Sequence, residues 1–156
     1  MNLRGKKFDS IDLRISSWMV KNGLFLLRLS VGIIFIWFGF LKFFPGASPA
    51  ESLAYRTIDV LTFGIFNERT ILFALAIWEV TIGIGLVFKI FLREVLLLMY
   101  LQMLGTLTPI FIFPEEVFHI FPYSLTLEGQ YIIKNLVVIS AGIVIGATVR
   151  GGKLVA

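Results

Sequence analysis

The chain has 156 residues, 58% of them apolar and 15% charged, with a mean hydropathy of +0.92. So high an apolar fraction in so short a chain leaves too little polar surface to enclose a core in water, which excludes an ordinary soluble enzyme, a nucleic-acid module and a disordered tail. The absence of Cys and the single His exclude disulfide relays, thiolate nucleophiles, haem held by paired His and His/Cys zinc sites, and the net charge of +4 reads as membrane topology rather than as an anionic partner.

In chain order, Phe8, Ile11, Ile15 and Trp18 recur at three- and four-residue spacing among Lys7, Asp9, Asp12 and Arg14. This predicts an amphipathic helix over 7–19 lying flat at the cytoplasmic interface. A bilayer core of about 30 Å takes about 20 helical residues, and the first window of that kind is 22–44, interrupted by Arg28 and Lys42. The basic segment before Leu29 and the small residues Gly46 to Ser48 also suit a signal peptide. Against that stand the length of the basic segment, Lys42 at the end of the apolar run, and Pro49 just after the cleavage point.

Ser48-Pro49-Ala50-Glu51 has the form of a capping box with Pro at the first helical position. Apolar residues follow at Ala50, Leu53, Ala54, Ile58 and Leu61, with Glu51, Arg56 and Asp59 off that face, predicting a helix over 49–62 that caps the outer mouth. The second span is 70–90, with Glu79 and Lys89; the third, 95–113, carries no charge; the fourth, 131–149, carries only Lys134. Between the last two, Pro114, Phe118, His119, Phe121, Pro122 and Tyr123 form an aromatic-proline stretch suited to headgroup depth. No sustained alternation supports a β-barrel, and no internal repeat divides the chain. The expectation is one all-α domain over 1–156, an integral membrane four-helix bundle with one capping and one interfacial helix.

Orientation follows from the flanks. Arg4, Lys6, Lys7, Arg14, Lys21, Lys89, Arg93, Arg150 and Lys153 fall on one side, and Arg56 and Arg69 on the other with Glu115, Glu116 and Glu128. Both termini should therefore be cytoplasmic.

Ions inside the spans should face one another. Arg28, Gly32, Phe35, Gly39 and Lys42 share a face of the first span, Glu79 and Gly83 of the second, Gln102, Gly105 and Pro109 of the third, and Asn135, Gly142 and Gly146 of the fourth, with Lys134 beside it. A rise of 1.5 Å per residue puts Glu79 roughly 14 Å below the outer boundary, Arg28 about 9 Å from the cytoplasmic one and Lys134 about 5 Å from the outer one. Arg28 is then the expected partner of Glu79, with fork geometry for a carboxylate. Lys42, Glu79, Lys134 and Asn135 are the candidates to line an outward pocket, with Gln102 a polar residue of the interior. Two readings stay open: an ion pair that only fixes register, or a site for a headgroup, quinone or proton. His119 reads as an interfacial ring or a proton-handling group, Trp18, Trp37 and Trp78 as packing or as quinone-stacking rings, and Pro109 as a kink or a source of free carbonyls.

The segments LLRLSVGIIFIWFGFLKFF, AIWEVTIGIGLVF and LEGQYIIKNLVVISAGIVIGA resemble the DoxX family of small four-helix bacterial membrane proteins. The likeness covers most of residues 22 to 149 and is carried by Arg28, Gly32, Gly39 and Lys42, by Glu79 with the glycines after it, and by the GQYIIKN stretch, which is also similar to related membrane proteins linked to reactive-chlorine resistance. Family members are associated with respiratory or redox complexes, including a quinone-reducing thiosulfate dehydrogenase. The resemblance therefore implies a bacterial inner-membrane subunit of a redox-linked system, with quinone as a candidate ligand, a redox protein as a candidate partner and a homo-oligomer as an open arrangement. With no Cys in the chain, thiol chemistry would come from a partner or substrate. Two alternatives stand beside this: a non-catalytic scaffold that uses the charges as glue, and a small-solute or proton carrier. The carrier is disfavoured by the absence of paired broken helices or an inverted repeat.

Overall fold

A computed structural model describes residues 3–48 and 50–152. The elements are α1 (Leu3–Leu41), α2 (Glu51–Leu61), α3 (Glu68–Phe88), α4 (Leu92–Leu107), α5 (Pro109–Ile112), α6 (Pro114–Val117), β1 (Phe118–Ile120), β2 (Ser124–Leu125) and α7 (Leu127–Ala147). Four helical segments, Asp9–Leu41, Glu68–Phe88, Leu92–Ile112 and Leu127–Ala147, are long and apolar enough to cross a membrane. The third joins α4 and α5 across Thr108.

These helices share one core. Val31 and Phe35 of α1, Ile82 and Leu86 of α3, Val95, Met99 and Met103 of α4, and Ala141 and Ile145 of α7 are buried together. α1 packs most extensively on α3, running antiparallel, and glycines set how close the two come. A Cβ on Gly83 would stand 2.7 Å from the Gly32 carbonyl oxygen, and one on Gly39 would stand 2.7 Å from Glu79 Cβ. Neither position has room for a side chain, so the register of α1 on α3 is fixed at two points.

The separate interfacial helix expected over 7–19 is not observed. α1 is continuous from Leu3 to Leu41 because no proline interrupts it and the polar residues near the expected break bond back along the helix. Ser17 Oγ donates to the Leu13 carbonyl (2.7 Å) and Asn22 Nδ2 to that of Trp18 (2.9 Å). Residues 9–21 are exposed. The side chains of residues 3–8, with Phe8 of the expected apolar face, lie outside the described residues, as do Pro49 and the tail from Lys153 onward. α1 also ends three residues short of the expected 44. Lys42, Phe43 and Phe44 close it in tight turns to Gly39, Phe40 and Leu41, and Pro45 cannot continue it.

α2 occupies most of the expected 49–62, but its start differs. Ala50, in left-handed conformation with φ 54°, takes the N-cap position and makes no side-chain cap. The Glu51 carboxylate does reach back, accepting from the amides of Gly46 (3.1 Å) and Ser48 (3.4 Å). Leu53 of α2 anchors in a second small core with Val117 and Ile132.

The aromatic-proline stretch folds into α6 and a two-stranded antiparallel ribbon, β1–β2, a small departure from an all-α chain. Thr126 organises the exit from this ribbon. Its hydroxyl donates to the Glu116 carbonyl (2.6 Å) and accepts from the Gly129 amide (3.0 Å), so α7 starts at Leu127, four residues before the expected 131. Asn67 caps α3 in the same way, accepting from the Thr70 amide at 2.9 Å.

Candidate functional site

The buried charges meet where α1 ends. Lys42, just past the last turn of α1, donates from Nζ to Glu79 Oε2 at 2.6 Å and to the Phe38 carbonyl at 3.4 Å. From α4, Gln102 Nε2 donates to Glu79 Oε1 at 2.6 Å. The Lys42 and Glu79 side chains are only 9% and 10% exposed. One carboxylate therefore ties three helices together through charge-assisted bonds. Because Glu79 only accepts, the Gln102 amide nitrogen must face it, and Gln102 Oε1 is turned away. That oxygen is buried and has no partner among the described residues.

The expected pairing of Arg28 with Glu79 is therefore corrected. Arg28 Nη1 donates to the carbonyls of Leu86 (2.5 Å) and Val87 (3.2 Å), at the last turn of α3. A helix C-terminus presents unpaired carbonyls and partial negative charge, both of which a guanidinium satisfies. Glu79 lies two turns away along α3, about 10 Å.

A cavity of about 730 Å³ opens beside the ion pair. Lys42, Glu79, Gln102, Lys134 and Asn135 all line it; Arg28 does not. Asn135 Nδ2 donates to Thr106 Oγ1 at 3.3 Å, joining α7 to α4, while the Thr106 hydroxyl donates to the Met103 carbonyl at 2.9 Å. Lys134 makes no ion pair among the described residues, and its ammonium lies 5.9 Å from the centre of the Tyr131 ring. The remaining wall is mostly apolar, from Phe35, Leu53, Leu75, Trp78 and Val138.

α2 forms the roof. Arg56 grips both carboxylate oxygens of Glu116, Nη1 to Oε1 at 2.6 Å and Nη2 to Oε2, and lies 5.5 Å from the Phe113 ring centre. Thr57, buried on the cavity side, turns its hydroxyl back to the Leu53 carbonyl at 2.7 Å.

Of the three tryptophans, Trp78 lines the cavity and ties α3 to α4 by donating to the Leu98 carbonyl at 3.2 Å. Trp37 is 65% exposed and Trp18 57%, both away from the cavity. His119 is exposed on β1, also away from it. Pro109 is buried in the cavity wall at the α4–α5 junction, where the Thr108 hydroxyl donates to the Gly105 carbonyl at 2.7 Å. Thr106 was not legible as a site residue in the sequence, because it carries no charge that would stand out inside a span. Gln102 was legible as an interior residue from its spacing with Gly105 and Pro109, but its partner was not.

Chemically, the cluster offers lysine and amide N–H groups and a lone amide oxygen within an apolar wall. That composition suits a small molecule with a compact polar head. No group of three or more His, Cys, Asp or Glu able to hold a metal occurs among the described residues. Comparison with protein-family models, curated proteins and solved structures finds no match for this chain.

Proposed function

We propose that this chain is a DoxX-like multi-pass protein of the bacterial cytoplasmic membrane, and that it serves a redox-linked system by holding a quinone or another small amphipath in the cavity beside Lys42, Glu79 and Gln102. In this reading the four long helices form the membrane bundle, both termini are cytoplasmic, and α2 caps the extracytoplasmic mouth. The observation that carries it is the cavity itself, about 730 Å³ with a hydrogen-bonding floor and apolar walls. That is within the usual volume of a small-molecule site. The excess of Lys and Arg flanking the Arg28 end supports the orientation. The motif segments around Arg28, Glu79 and Lys134 support the family resemblance.

Trp78 supplies the test, since it alone of the three tryptophans lines the cavity. In a Trp18→Phe/Trp37→Phe background, titration with a long-chain alkyl benzoquinone should quench Trp78 emission saturably. Asn135→Leu should weaken the affinity by about tenfold, the worth of one hydrogen bond to a buried head. Quenching that is linear in quinone and indifferent to Asn135 would overturn the assignment.

A further inference from the structure

Residues that line the cavity and are also exposed on the flanks of the helices mark where it opens. Eight residues meet both conditions: Leu61 belongs to α2, and Trp78 and Leu101 flank the α3–α4 seam, which the Trp78 indole bridges by donating to the Leu98 carbonyl. The other five are Ile34 and Phe38 on α1 and Tyr131, Lys134 and Val137 on α7, the last 70% exposed. Ile34 and Phe38 lie one turn apart, and Tyr131, Lys134 and Val137 follow at three-residue steps, so each set forms a row along its helix. The rows are the two lips of one slot between α1 and α7. Toward the Arg28 end the slot closes, where Val31 and Phe35 meet Ala141 and Ile145 in the main core.

Both lips lie within segments long and apolar enough to cross a membrane. A gap of this kind, edged by Ile, Phe, Tyr and Val, faces hydrocarbon rather than water. On another side the cavity is covered by α2, which is held by Leu53 in the second core, by the Arg56–Glu116 grip and by the Glu51 contacts to Gly46 and Ser48. The cavity floor adds a constraint on charge, because Lys42 and Glu79 already neutralise each other.

We infer that the cavity is loaded and emptied sideways from the hydrocarbon, through the slot between α1 and α7, and that its ligand is an uncharged amphipath whose tail stays in the slot while its head meets the floor. This rests on the reading that the cavity holds an amphipath. Lys134, the one charge on the lips, keeps its ammonium over Tyr131 at the slot's edge, where a long side chain can reach toward the headgroups.

The chain has no Cys, so Ile34→Cys and Val137→Cys together supply its only thiols, and a reducible bis-maleimide can bridge the slot. The bridged protein, full length in lipid nanodiscs with Trp78 as the sole Trp, is mixed with the long-chain alkyl benzoquinone. The rate of quenching should fall by about tenfold or more, as expected when a gate is shut. Reducing the linker should restore it, and Phe38→Ala without the linker should speed it. Equal rates before and after bridging, with saturable quenching intact, would overturn the lateral route while leaving the binding site standing. Loss of saturable quenching already in the unbridged protein would instead overturn the binding reading on which the inference rests.

Discussion

Glu79 accepts from Lys42 on one helix end and from Gln102 on another helix, and this dictates how the three side chains should respond to substitution. Removing one member of a buried ion pair leaves the other charge without compensation and costs about 3 to 5 kcal/mol, whereas removing both is much milder. Lys42→Met and Glu79→Gln should therefore each destabilise the protein, and the double variant should recover much of the loss. Arg28→Met, which strips a cap from α3 some 10 Å from Glu79, should lose only about 1 to 2 kcal/mol. Its effect should add to that of Glu79→Gln, as expected for distant sites. Unfolding in a denaturing detergent series checks both cycles; coupling between Arg28 and Glu79 would contradict the assigned pairing. The residues of this cluster were legible in the sequence as intramembrane polar groups, but their pairing was not. Helices that ended level with one another would have brought Arg28 nearest to Glu79 in depth. In the structure α1 stops at Leu41 opposite Glu79, while α3 runs on toward Glu68 for about 16 Å more.

Among the elements, α1 and α3 depend on close approach at Gly39. A Cβ there meets both Glu79 Cβ at 2.7 Å and the Val80 amide nitrogen at 3.0 Å, so relief requires moving a backbone. Gly39→Ala should cost about 1 to 3 kcal/mol, the usual penalty of overpacking. Gly105 is a built-in control, since a Cβ there meets nothing within 4 Å. Gly105→Ala should leave stability unchanged or raise it by up to about 1 kcal/mol through helix propensity. Equal losses at the two positions, measured in the same unfolding series, would argue that helix contact is not set by Gly39. The span positions, the small-residue faces and the existence of α2 could be read from hydropathy and 3.6-residue spacing. What could not be read were features decided by competition between local signals. The polar break near residue 20 lost to an uninterrupted helix, Ser48 lost the cap position to Ala50, and Thr126 outbid the apolar run in setting where α7 begins. The β1–β2 ribbon, five residues in two strands, is too short to show a period.

Across the whole molecule, the main core fills the Arg28 end and the cavity occupies the Lys42 end, with α2 along part of its wall. At the Lys42 end Gln102 Oε1 is a buried acceptor without a donor among the described residues. Native mass spectrometry of the protein released from its own membrane without detergent tests the central claim most directly. A retained uncharged amphipath of fixed mass, a tailed quinone being the expected species, should accompany the wild type and be largely lost from Asn135→Leu. A wild-type spectrum containing only apoprotein and the ordinary distribution of membrane phospholipids would contradict it.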